Sequence, residues 1–342
     1  MKARLPDTST STRVAVGAGI AATGATMAAA KALLDRRGGR SRTYKLERGE
    51  DVADGIRRIA AGRAESAIEH LRGERDEEFA EAIHEARKDL KKLRSVLRLV
   101  RAPLGDELYR RENIRFRNAG RMLSGARDAE VKLDTLAALE ERFGDTFPDR
   151  EVTPLATALE RERYALAEGE SRDNGAGSVA VAARQIEDGR EAVSGWKLES
   201  EGFDLIADGL KRSYRRGRNR FADTRKLASP ETAHEWRKRV KDLWYHLRLV
   251  ADVRPSKLGE AADQAHELSN LLGDHHDLSV LREDAMGRAG LFDGAVLVDF
   301  VMLVERRQSE LVDRATAVAK SVYAEKPKRF IARVEGYWSD WR

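Results

Sequence analysis

Residues His84 to Val100 read HEARKDLKKLRSVLRLV, and residues His234 to Val250 read HEWRKRVKDLWYHLRLV. The two stretches begin 150 residues apart, and 10 of their 17 positions are identical without a gap. Agreement of this kind marks an internal repeat. The context repeats as well. Upstream, Ala53-Asp54-Gly55-Ile56-Arg57-Arg58 matches Ala207-Asp208-Gly209-Leu210-Lys211-Arg212. Downstream, Met122-Leu123-Ser124-Gly125-Ala126-Arg127-Asp128 matches Leu271-Leu272-Gly273-Asp274-His275-His276-Asp277. The chain reads as two copies of one unit, over 49–170 and 201–340, joined by a link over 171–200.

From Asp51 onward apolar residues recur at helical spacing, and no stretch alternates as a strand does. Breaks at Gly and Pro divide the chain into about ten helices with short links. The fold class is all-α. Residues 1–48, rich in Ser, Thr, Gly and Ala, read as a flexible extension outside that fold.

Composition narrows the chemistry. The chain has 342 residues, 63 Lys and Arg against 58 Asp and Glu, a net charge of +5, and no Cys. Disulfides, thiolate metal sites and Cys nucleophiles are excluded. A net charge this small on so many ions says little, so the placement of the cations matters more. Within the extension, 14–30 carries no charge and ends in Ala28-Ala29-Ala30, which offers a peptidase site. It falls short of the ~20 strongly apolar residues that a spanning helix needs. It reads as a contact surface, with a membrane or export role as the alternative.

On a helical wheel His84, Lys88, Lys91 and Arg98 share one line, with Arg87 beside it, while Leu90, Leu93, Leu97 and Val100 face the other way. The second copy repeats this with His234, Lys238, Lys241 and Arg248 in line, Arg237 beside them, and Val240, Leu243 and Leu247 opposite. An ordinary exposed helix mixes opposite charges at i, i+4, each pair contributing ~0.2–0.5 kcal/mol. Here like charges recur at that spacing, twice and in register. The plain reading is a solvated face; the functional one is a surface that binds an anion. Further cations stand at Lys211, Arg215 and Arg218, with Arg212 and Arg216 alongside. Others are Arg57, Arg58 and Arg63, and Arg110, Arg117 and Arg121 on one side of a third helix.

Nucleic-acid sites interleave aromatic side chains for base stacking. Trp236, Trp244 and Tyr245 of the second copy stand where the first has Ala86, Arg94 and Ser95. The cations repeat and the aromatics do not, which favours bare phosphates over a polymer with bases, and reads the two Trp as packing residues. His275-His276-Asp277 invites a metal, but adjacent helical His side chains diverge by ~100° and no HExxH or Cys partner exists. Asp128 and Asp277, placed just after expected helix breaks, either cap a helix or orient a cation. The cations around His84 and His234 favour neutral imidazoles near neutral pH. No nucleophile elbow, P-loop or dinucleotide-binding glycine pattern occurs. The stripe shows no carboxylates of the kind that hold Mg²⁺ for phosphoryl transfer.

The paired HExRKxxKxLxxxLRLV segments and the corner after them resemble the CHAD family, the conserved-histidine α-helical domain, over residues 50–340. The resemblance implies two four-helix bundles related by a pseudo-two-fold axis, with a central basic surface that binds inorganic polyphosphate. Some members associate with polyphosphate or polyhydroxyalkanoate granules. The matching positions are His84, Arg87, Lys88 and Lys91, then His234, Arg237, Lys238 and Lys241. Arg127-Asp128 matches the family's corner, where the second copy has His276-Asp277. Many members carry a triphosphate-tunnel domain with an ExExK strand; no such pattern occurs here, so its hydrolytic activity is not expected. The expected function is non-enzymatic polyphosphate binding in the cytoplasm, with no cofactor, no metal and no sequence-specific nucleic acid. The alternatives are a granule scaffold acting through 14–30, a metal-binding protein and an enzyme of phosphate metabolism. The expected contacts add Arg58, Arg98, Arg117, Arg121, Arg127, Lys211, Arg215, Arg218, Arg248 and His276 to the family positions.

Overall fold

The computed structural model describes residues 43–73, 79–123, 128–171 and 174–342. Twelve α-helices run through them: α1 Val52–Leu71, α2 Phe79–Leu99, α3 Arg101–Leu104, α4 Asp106–Met122, α5 Asp128–Phe143 and α6 Asp149–Ser171. There follow α7 Asn174–Val193, α8 Asp204–Lys226, α9 Pro230–Leu249, α10 Glu260–Gly287, α11 Gly294–Val322 and α12 Pro327–Trp341. No strand occurs among the described residues.

Local chemistry sets the helix starts. Asp51 caps α1 by accepting from the Asp54 amide at 3.0 Å. Ser229 and Thr232 form a reciprocal capping box at α9, and Pro230 occupies the first turn, where its missing N–H costs nothing. The apolar rows then decide the packing. Leu90, Leu93 and Leu97 of α2 and Val100 just after it are buried, as are Val240, Leu243 and Leu247 of α9. Trp236 is fully buried against Phe221, with ring centroids 5.1 Å apart.

Tyr44–Arg342 forms one compact unit. Helices α1, α2, α4 and α7 each pack on two of the others in that set. Helix α9 lies between α8 and α10, with α11 on α10 and α12 on α8. The α5–α6 pair leans on α10 through α5, and α2 crosses α9.

Three sequence expectations need correction. Tyr44 and Leu46, assigned to the extension, are buried, and the Leu46 amide donates to the Leu249 carbonyl at 2.9 Å. Residues 1–42, with the 14–30 segment, lie outside the described residues. The link expected at 171–200 contains α7, a full helix packed on α1 and α4. The helix break expected at the second copy's corner does not occur: α10 runs unbroken from Glu260 to Gly287 through Gly273-Asp274.

The repeated Ala-Asp-Gly element has a steric reason. A Cβ on Gly209 would overlap the Leu99 carbonyl oxygen at the end of α2. One on Gly55 would meet only side-chain atoms, Glu50 Oε1 at 2.6 Å and Leu46 Cδ2 at 2.8 Å. Backbone cannot swing aside as a side chain does. Gly209→Ala is therefore expected to destabilise the protein by about 2 kcal/mol, more than Gly55→Ala, despite alanine's better helix propensity. Denaturant melts of the two variants check this.

Candidate anion-binding site

Helices α2 and α9 cross with their lysine rows on the same side. Lys91 stands within electrostatic reach of Lys241, Arg87 and Arg237, and Lys241 within reach of Arg237 and Lys88. Burial of each ammonium is the main cause that pulls both pKa values down to about 8, and the neighbouring cations add to it. Asp277 acts in the opposite direction on both. Lys91 retains solvent exposure as a residue, so a ligand can reach it while its charge stays crowded.

Asp277 therefore answers the question its sequence position posed. Lying within α10, it caps no helix start; its carboxylate sits among the stripe's cations. This corrects the expectation that the stripe lacks carboxylates. Asp274 lies one turn away, and burial followed by Asp277 raises its pKa. Both line a cavity of about 280 Å³ with Asp134, Thr135 and Arg307.

The histidines separate as helical geometry requires. His275 is buried in the core, where burial pushes its pKa to about 4, and its carbonyl accepts from Gln308 Nε2 at 3.1 Å. His276 faces His234 of α9, ring centroids 4.3 Å apart. Burial lowers the pKa of both, and Arg237 and Lys238 lower them further, so both are neutral near neutral pH. His84 is half-buried on α2. Among the described residues no group of three His, Asp or Glu side chains could hold a metal ion.

The other expected contacts differ in their surroundings. Lys88 and Lys238 pair within their own helices, with Glu85 at 2.5 Å and Glu235 at 2.6 Å. Arg58 leaves the site altogether: it binds Glu50 at 2.7 Å and the Lys45 carbonyl at 2.9 Å, anchoring the segment that leads into α1. Arg218 donates to the Tyr323 carbonyl at 3.4 Å, on the side of α8 that meets the chain after α11. Arg98 pairs with Asp242 at 2.8 Å, and Arg117 lies near Arg94, both beyond the lysine crossing. Arg248 stacks over the Tyr44 and Trp244 rings at 5.5 Å. Lys211 is half-buried on α8, while Arg215 and Arg121 are exposed. Arg127 lies outside the described residues.

The crowding has a consequence in pH. A lysine whose folded pKa lies below its ordinary 10.5 makes the unfolded chain bind more protons between the two values. From Lys91 and Lys241, stability of the free protein is expected to rise as pH climbs from about 8 towards 10.5. Affinity for a polyanion should fall over the same window, as the ammoniums it contacts discharge. Thermal melts and titration calorimetry at stepped pH check the opposed trends.

These helices define an all-α protein with an under-neutralised cluster of lysine and arginine. The CHAD domain family model matches residues 58–284, and the chain belongs to the CHAD domain family. Its fold is similar to that in the crystal structure of the CHAD domain from the plant Ricinus communis. TM-score is 0.60 and identity 17%, over 84% of this chain and 96% of that one. No curated protein matches the sequence. No helix among the described residues is long and apolar enough to cross a membrane.

Proposed function

We propose that the chain binds inorganic polyphosphate along the row formed by Arg87, Lys91, Arg237 and Lys241, as a binding protein and not as an enzyme. One observation carries this reading. Two lysines from matched repeat positions are held near pKa 8, with Asp277 the carboxylate acting on both. A run of phosphates relieves that repulsion and releases its own condensed counterions on binding. A pseudo-two-fold pairing of two bundles, each lending one basic helix, is the simplest account of two rows that meet.

Polymers with bases find less here. Trp236 is buried, and Trp244 is already stacked on His266, ring centroids 4.2 Å apart. The test is affinity for long-chain polyphosphate against single-stranded DNA across a salt series. Polyphosphate should bind more tightly, with log affinity falling steeply against log salt. Equal affinity for DNA would remove the selectivity. Magnesium-dependent hydrolysis of polyphosphate by the pure protein would replace binding with catalysis. Deleting residues 1–42, ahead of the packed Tyr44, tests the granule-scaffold alternative. Loss of granule attachment with polyphosphate binding retained would support it.

A further inference from the structure

A second basic cavity lies where α2, α3, α4, α8 and α9 meet. Arg98, Arg101, Arg212, Arg216 and Arg239 surround about 40 Å³ together with Tyr109, Asp242 and His246. None of Arg87, Lys91, Arg237 and Lys241 lines it. The volume holds about three water molecules, the scale of one tetrahedral oxyanion and not of a chain.

Four of the five guanidinium groups are held in place beforehand. Asp242 sits 2.8 Å from Arg98 Nε and accepts from Arg239 Nη1 at 3.3 Å. Arg212 donates to the Arg98 carbonyl at 3.4 Å. Arg101 stacks on Tyr109 at 4.8 Å and donates to Asp106 at 2.8 Å. Glu235 stands 3.9 Å from Arg239. Five guanidiniums thus face one lining carboxylate.

His246 supplies the distinguishing feature. It is 2% exposed, and its Nε2 lies 2.9 Å from the Ser95 carbonyl oxygen. A carbonyl only accepts, so Nε2 carries the hydrogen and Nδ1 presents a bare lone pair. That buried Nδ1 has no hydrogen-bond partner. Burial holds the imidazole pKa down to about 4, so it stays neutral at physiological pH. The cavity that His246 lines therefore combines donors for anionic oxygens with one unpartnered acceptor, His246 Nδ1, that an unprotonated oxyanion would leave unsatisfied, while Asp242 is already paired with Arg98 and Arg239.

We propose that this arginine cavity binds a single phosphate group that still carries a proton, its P–OH donating to His246 Nδ1. Orthophosphate and the terminal group of a phosphate chain both have such a proton near neutral pH. Sulfate and the interior groups of a chain do not.

The test is equilibrium binding of radiolabelled orthophosphate to the full chain, with sulfate as competitor. Orthophosphate should bind at least about tenfold more tightly than sulfate, because sulfate leaves the buried His246 Nδ1 unpaired. Arg212→Gln with Arg216→Gln should weaken orthophosphate binding by about tenfold or more while the melting curve is retained, since both side chains reach solvent. Competition by linear tripolyphosphate but not by cyclic trimetaphosphate, which has no terminal group, would make the chain end an occupant. Competition by neither would make free orthophosphate the occupant. Equal affinity for sulfate, competition by trimetaphosphate, or no orthophosphate binding at millimolar concentration would each overturn the proposal. So would orthophosphate binding that survives the arginine changes but is lost with Lys91→Gln and Lys241→Gln.

Discussion

Replacing Lys91 and Lys241 together by Glu is expected to lower polyphosphate affinity by about 100-fold or more. Each lost charge-assisted contact costs about 1.5–3 kcal/mol, and each new carboxylate repels the chain as well. The change relieves the repulsion between cations but keeps a charge at two positions where burial is the main cost, so a thermal melt is needed to show that the variant is folded. The new carboxylates stand beside Arg87 and Arg237, the cations that now crowd the two ammoniums. Calorimetric titration and a thermal melt on one sample read affinity and folding. Binding that survives the double change would remove the α2–α9 crossing as the site.

Asp89→Asn is expected to destabilise the protein by about 3 kcal/mol while leaving polyphosphate affinity nearly unchanged. Asp89 is buried between Arg63, at 3.0 Å, and Lys92, at 2.9 Å. Burial alone would raise its carboxyl pKa, but these two cations outweigh it and hold the value below the ordinary 3.8. Asparagine keeps the shape and removes the negative charge that both cations contact. The sign in pH follows from linkage. A depressed carboxyl contributes stability that is present above about 3.8 and lost as pH falls through the lower folded value. The wild-type advantage over the variant should shrink on acidification. Denaturant unfolding at pH 7 and pH 3 measures it, and a variant as stable as wild type at pH 7 would contradict the account.

The helical period made one part of the site legible. Once Leu90, Leu93 and Leu97 are assigned inward, Lys91 and its line must point outward, and the repeat carries the same logic to Lys241. What a charge row cannot show is which distant carboxylate or carbonyl has already claimed a member. Arg58 is held by Glu50 from a segment that reads as loose chain, and Arg218 by a carbonyl 105 residues away. Arg98 shares the stripe's line, yet Asp242 of the other repeat draws it into a separate cavity. Helix α7 was hidden because Ser171 to Gly177 has the composition of a linker. Asp277 looked like a cap because Gly273-Asp274 reads as a break, whereas packing carries α10 straight through it.

The most direct measurement is the NMR titration of the side-chain ammonium groups of Lys91 and Lys241, with and without long-chain polyphosphate. In the free protein both should titrate near 8, and in the complex both should move up towards 10.5, as phosphate replaces repulsion with attraction. Polyphosphate that binds while leaving both titrations where they were would contradict the assignment of this lysine cluster as its site.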